Sequence, residues 1–453
     1  MAEKYNRATL TRNFLKTITR IKNPDEMLQE AKSEGLEKTL GVWDLIILGV
    51  GAIIGSGIFA VVGIAAAGSA DGSALGAGPG LMISMVVAAI ACIFSALCYS
   101  EFATMIPVAG GAYTYTFATL GEFAAWMVGW VLMLEYAIGF IAVACAWSNH
   151  FIQFLSGFEK FLPAFIAHPP VWLVNDVFTA GKIAAENPDI FIPRFLGVPI
   201  CINLPAILIV ILMTAILVRG TKDSTKMAGI MVFIKLAVIA LFVIAGAFFV
   251  KPDNWVPFAP NGIEGIFAGA FLIFFAYIGF DALATAAEEC KNPQKDLPVG
   301  IIGSLVITTI VYVLVALVLT GMQDTSGSVP AAFLKAPMAY CMTMAKQNWA
   351  AGLISVGSLA GLTSVLLVLE MAATRILYAM SRDHFISQRF QKLDKKFHTP
   401  ALLTWTVGAL AVVGILTLNL DVAAELCNYG TFTSFIIVCV AVLILRKTDP
   451  DRE

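Results

Sequence analysis

Gly55-Ser56-Gly57, within the stretch GVGAIIGSGIFAV (residues 49–61), puts pliable backbone deep inside an apolar run. The run begins near residue 42, so at 1.5 Å per residue the glycines lie roughly 20 Å along it. The chemistry open to such residues is that of the main chain: where a helix breaks, freed N–H groups can hold an anion and freed carbonyls a cation. Two readings stand. Gly51 and Gly55 form a small-xxx-small face that lets another helix approach closely. Alternatively the helix is broken there, which is tolerated at that depth only where protein or a water-filled cavity satisfies the backbone, and which glycine makes less costly.

A second interruption favours the broken helix. The sixth apolar span, GIFAGAFLIFFAYIGFDALATAAEE, carries Phe275-Ala276-Tyr277-Ile278-Gly279-Phe280 near its middle, then Asp281. Spans one and six hold matching places in two successive groups of five, and paired interruptions of that kind point to a transporter's central site. Ionisable residues inside the spans add candidates, because a charge at that depth is costly. Lys235, in VFIKLAVIA, is either a cap on the carbonyls of a broken helix or an amine that exchanges a proton. Glu135, in VLMLEYAIG, has apolar neighbours and needs a partner or a proton. It is a fixed acceptor, a proton site, or a contact for a basic substrate. Glu370 reads as structural; Asp281, Glu288 and Glu289 are expected to pair with basic loops. On span eight, Leu362, Thr363, Ser364, Val365, Leu366 and Leu369 offer a pocket wall suited to small or apolar groups.

The elements that position these residues follow from composition. The 453 residues are 59% hydrophobic and 13% charged, and no Lys or Arg occurs between positions 39 and 158. Soluble domains carry about 25% charge; this is an integral membrane protein. Apolar spans fall near 42–68, 80–104, 123–155, 200–218, 226–250, 262–287, 298–321, 350–374, 400–419 and 421–445, each close to the ~20 residues a crossing needs. With loops assigned alternately, 22 Lys and Arg fall on the side of both termini and 6 on the other, Lys235 being the remaining one. The positive-inside rule therefore predicts cytoplasmic termini. Segment 106–123 reads as a re-entrant loop with a short helix, 156–199 as a proline-broken external segment, 328–347 as a surface helix over the external mouth. Residues 8–20 are basic and amphipathic, lying on the inner leaflet or solvated. The eight cysteines lack CxxC spacing and the four histidines lack ligand spacing, so no metal or cofactor is expected. A net charge of −2 suggests no nucleic-acid partner, and neither HExxH nor GxSxG occurs.

Four motifs in order, LGVWDLIILGVGAIIGSGIF, SALCYSEFATMIPVAGGAYTYTFATLGEFAAWMVGW, FDALATAAEECKNPQKDLPVGI and RILYAMSRD, resemble the amino acid–polyamine–organocation transporters. Within them the chain is most similar to the cationic amino acid transporter branch, over residues 36–447. The resemblance implies an all-α membrane protein with a LeuT-like five-plus-five inverted repeat and discontinuous helices 1 and 6. A cytoplasmic arm (1–41) would precede repeats at 42–250 and 262–446 and a cytoplasmic end (447–453). By position, Ile54, Gly55, Ser56 and Gly57 would face the substrate, with N–H groups of the second half-helix on its carboxylate. Carbonyls near Ile53 and Ile54, with those of Phe275, Ala276 and Ile278, would take its ammonium, and Phe275 would act as a lid. Some proton-linked members place a lysine at the position of Lys235. Two departures stand out: the family continues into two further helices where this sequence reads LILRKTDPDRE, and His384 stands where glycine is usual.

The expected function is a secondary amino acid transporter of a bacterial inner (plasma) membrane, taking up neutral or cationic L-amino acids with protons by alternating access. Amino acid/polyamine exchange is the alternative. A membrane amino-acid sensor would need a sizeable output domain, an intramembrane enzyme a catalytic constellation, and a channel would lack the paired interruptions.

Overall fold

In hydrocarbon every backbone polar group must find a partner within the protein, so long apolar runs fold as helices. The computed structural model describes residues 19–33, 36–55, 57–69, 75–159, 161–186, 190–195, 198–327, 329–418 and 420–449. Ser56 and nearly all of the basic stretch 8–20 lie outside them.

A short helix α1 (Pro24–Ser33) precedes the first span, which is split into α2 (Val42–Ile53), a π-helical turn (Gly57–Val61) and α3 (Val62–Ala67). There follow α4 (Leu81–Met105), the short α5 (Ala112–Thr119), α6 (Glu122–Ser156), α7 (Leu204–Val218) and α8 (Thr221–Ala247). The second half holds α9 (Gly262–Phe274), continued after a break by the 3-10 segment Asp281–Glu289, then α10 (Pro293–Met322), α11 (Pro337–Met344), α12 (Asn348–Arg382), α13 (Ala401–Thr417) and α14 (Leu420–Thr448). Between α6 and α7, prolines break the chain into three short helices and a two-stranded hairpin (Arg194–Phe195 with Val198–Pro199).

Seven helical runs among the described residues are long and apolar enough to cross a membrane. The apolar helices α2, α7 and α13 fall at three more of the ten expected spans, but have only 12, 15 and 17 residues. At 1.5 Å per residue they reach roughly 18–26 Å, short of the ~30 Å core. Seven of the ten expected spans thus meet the length and composition of a crossing among the described residues; α2 is short because its helix breaks after Ile53.

Helix α12 is the axis. From Ala360 to Arg382 every residue is buried, whatever face it occupies, as expected of a helix enclosed by other helices. Its neighbours include α6, α8 and α2. Helix α8 is more exposed, with Ile230, Phe233 and Ile244 on its outer surface. The segment expected over the external mouth forms α11 and a preceding short turn; Phe333 there is fully buried, with its carbonyl against Gly63 of α3.

Candidate functional site: two helix breaks around an apolar cavity

Helix α2 ends at Ile54, whose ψ of 93° is extended. The chain re-enters helical structure at Gly57, and the leading N–H groups of that half-helix have no intrahelical acceptor. In the sixth span, Phe275–Tyr277 form a 3-10 turn, Ile278 is extended (ψ 140°), and Gly279 adopts φ +119°. That conformation strongly favours glycine. The two breaks touch. A Cβ on Gly57 would lie 2.3 Å from that of Ala276, and one on Gly279 would lie 3.2 Å from the Ala52 backbone. Glycine is required by the meeting of two unwound segments, not only by helix–helix packing.

A cavity of about 200 Å³ opens between the breaks. Ile53, Gly55, Gly57, Phe275, Ala276 and Ile278, all expected from the sequence, line it. Ile54 does not: it is fully buried and its carbonyl faces Lys235. Of the span-eight candidates only Val365 and Leu369 reach the cavity. Thr363 accepts a hydrogen bond from the Trp147 indole at 3.0 Å, while Ser364 turns to the first break. The far wall is a run of small α6 residues, Gly139, Ala142, Val143 and Ala146, which the sequence reading missed. Its signal was the helical spacing of small side chains in AIGFIAVACA. Among the described residues no charged side chain lines the cavity.

Carbonyls freed by the breaks are already engaged. Lys235, fully buried on α8, holds Nζ within hydrogen-bond distance of the carbonyls of Val50 (3.0 Å), Gly51 (3.0 Å) and Ile54 (2.7 Å) and of Ser364 Oγ (2.9 Å), four oxygens around its three N–H donors. The Tyr312 hydroxyl on α10 lies 3.0 Å from the Ile53 carbonyl and 2.9 Å from that of Ala276. One phenol thus bridges both breaks, and sequence reasoning gave no hint of it: Tyr312 is one of several hydroxyls in that apolar span, with Ser304, Thr308, Thr309 and Thr320. Because each carbonyl accepts two hydrogen bonds, those of Ile53, Ile54 and Ala276 keep capacity for a ligand, whereas Val50 also accepts from the Ile54 N–H and Gly51 from Ser364 Oγ.

Glu135 lies one turn from Gly139 and outside the cavity wall; it is buried and accepts from Thr431 on α14. Near it Tyr136 donates to Asp281, which is fully buried. The expected pairing with basic loops is corrected for Asp281; Glu288 and Glu289 do pair with basic residues of the segment 375–399 expected as a loop, whose start the structure makes the end of α12. The break folds Asp281 inward onto a phenol, while Glu288 and Glu289 bond Arg382 and Arg375 of α12. Glu370 is likewise buried and accepts from Thr214 of α7 at 2.5 Å. His384 adopts φ +66°, a left-handed conformation that suits the glycine usual in the resembled family.

Paired discontinuous helices around a central cavity, inside a bundle of membrane-spanning helices, define a multi-pass membrane protein with the LeuT-like transporter fold. The chain belongs to the amino acid permease family, whose sequence model matches residues 40–453. It is 42% identical to the methylthioribose transporter of Bacillus subtilis (95% of this chain, 86% of that protein). It is equally identical to the branched-chain amino acid permease BcaP of the same organism (96% and 87%). It is 34% identical to the chloroplastic cationic amino acid transporter 9 of Arabidopsis thaliana (94% and 70%). The fold matches the crystal structure of MhsT in complex with L-phenylalanine, with TM-score 0.59, 14% identity and coverage of 91% and 90%.

Proposed function

We propose that this permease is a secondary transporter of the plasma membrane that takes up neutral L-amino acids with apolar side chains, coupled to protons. The observation that carries this reading is the cavity between the breaks: backbone polarity at one end, Gly139, Ala142, Val365 and Leu369 at the other. N–H groups from Gly57 onward would bind the carboxylate, aided by the positive end of the half-helix. Carbonyls of Ile53, Phe275, Ala276 and Ile278 would receive the ammonium, with Ser56 and Ile54 completing the first break. Phe275 would close over the solute. Such contacts read the amino-acid backbone and leave the side chain to an apolar wall, which favours neutral over cationic substrates. The relative named as a branched-chain amino acid permease supports this class.

Lys235 would supply the coupling proton: its bonds to α2 and α12 link protonation to the packing of the first break, and Glu135 would serve the second break. The charge bias of the loops favours cytoplasmic termini, with segments 42–250 and 262–446 as the two repeats that alternate access.

Thermal melting of the purified chain against the twenty L-amino acids tests the substrate class. A ligand at 100 times its Kd adds about 2.7 kcal/mol to the folded state. Leucine, isoleucine, valine or methionine should shift the melt, and Gly55→Leu, which fills the cavity, should abolish the shift. Shifts confined to arginine, lysine or polyamines would overturn the neutral reading. In liposomes, Lys235→Ala should flatten the pH profile of uptake; an unchanged profile makes the lysine structural. A second reading rests on the equally similar relative named as a methylthioribose transporter. An apolar wall suits a methylthio group, and a shift with methylthioribose alone would select this reading.

A further inference from the structure

At the face assigned above to the cytoplasm, a groove of about 660 Å³ separates the start of α2 from the start of α8. One wall is a zipped unit: Thr39 and Leu40 donate backbone hydrogen bonds to the Glu289 carbonyl, and Lys291 donates to that of Leu40. This wall carries Lys38 and Lys291. The opposite wall is the first two turns of α8, where Lys222 and Lys226 stand four residues apart and share a helix face. The groove narrows toward the bilayer, where a Cβ on Gly229 would meet Ile47 at 3.8 Å and one on Gly51 would meet Val232 at 3.3 Å. Its level is marked by Trp43, 74% exposed at the start of α2, the position an interfacial tryptophan takes.

Four lysines from three segments line the groove, and none has an ion-pair partner among the described residues. Three carboxylates share the groove. Asp44 accepts from the Gly41 backbone N–H and keeps its charge, so the four lysines exceed the carboxylates by one. A wedge that is basic at the headgroup level and apolar at its narrow end fits one kind of occupant. We infer that this groove binds an anionic phospholipid of the inner leaflet, its phosphate held by Lys38, Lys222, Lys226 and Lys291 and its glycerol end against Ile47 and Gly229. Basic pockets between membrane helices on this side recognise such headgroups. The lipid would bridge the unit that carries both breaks to the outer helix α8, bracing α2 from outside the substrate cavity. The inference rests on the cytoplasmic assignment of this face, not on the substrate.

The test uses the full chain in nanodiscs of phosphatidylcholine alone, or with added phosphatidylglycerol or phosphatidylethanolamine. Native mass spectrometry reads retained lipid and melting reads stability. Phosphatidylglycerol should be retained and should raise the melting temperature, and the other two should not. Lys222→Gln with Lys226→Gln should weaken its retention roughly tenfold while melting like the wild type in phosphatidylcholine. Should that pair not melt cooperatively, Lys38→Gln with Lys291→Gln reads the opposite wall. Equal retention by wild type and variant overturns the inference. So does millimolar glycerol 3-phosphate stabilising the phosphatidylcholine discs as much as phosphatidylglycerol, since the site would then hold a soluble anion. A melting shift with leucine that survives the lysine changes keeps the substrate reading separate from this one.

Discussion

The two breaks solve one problem with different chemistry. Each frees backbone carbonyls inside the protein, where an unsatisfied polar group costs about 1–3 kcal/mol. At the first break a buried ammonium, Lys235, gathers three carbonyls and a hydroxyl. At the second, the phenol of Tyr312 reaches one carbonyl and crosses to the first break, while the chain reverses through Gly279. A cation holds several acceptors at once but must itself be compensated. A phenol has a single proton and no charge, so it joins two segments without adding an electrostatic demand. On the function proposed above, protonation of Lys235 would act on the first break, while the second is set chiefly by backbone geometry.

Breaking the contact between them should have the largest effect. In Gly57→Val the new side chain falls on Ala276, and the two segments must separate. We expect about 3 kcal/mol or more of lost stability and no ligand-induced melting shift; a wild-type melt would mean the breaks do not touch. Next comes Lys235→Met, which leaves the Ile54 carbonyl without its donor, while Val50 keeps the Ile54 N–H and Gly51 the Ser364 hydroxyl. The expected loss is about 3 kcal/mol, measured by thermal or denaturant unfolding, and a neutral result would show that water replaces the amine. Tyr312→Phe removes one hydroxyl and should cost about 1–2 kcal/mol. Its loss of ligand affinity should exceed that of Tyr277→Phe, whose hydroxyl bonds the Met85 carbonyl instead; equal effects would deny Tyr312 its bridging role. Smallest is His384→Gly, which relieves a left-handed backbone and should stabilise by up to about 1 kcal/mol, seen as a slightly higher melting temperature.

Much of the first break was legible because its signals are local. Glycines at 51, 55 and 57 inside an apolar run, and Phe275–Phe280 at the matching place, need no tertiary information to read as interruptions. Lys235 was legible as an anomaly: a lysine at that depth must have partners, and capping the carbonyls of a broken helix was one of its two readings. Its acceptors themselves come from α2 and α12, 129 to 185 residues away. The cavity wall was only half legible. Span eight offered six candidates at consecutive or helical spacing, and packing turned Val365 and Leu369 inward while giving Thr363 and Ser364 to other partners.

Asp281 shows the limit in the opposite direction. Its place after an apolar run suggested a loop partner, yet the break rotates it into the bundle against Tyr136. Helical periodicity cannot be carried through a segment that is no longer helical, so the direction of every side chain beyond Gly279 is set by the break.

By itself the sequence determined that this protein lives in a membrane, where its helices run, and where two of them must give way. Composition and glycine placement act along the chain, and the bilayer leaves few folds to choose from. Only the tertiary structure decided which carbonyls Lys235 and Tyr312 satisfy, which small residues open the cavity, and which charges turn inward. Those outcomes depend on neighbours far away in sequence, and on a helix break that resets every direction after it.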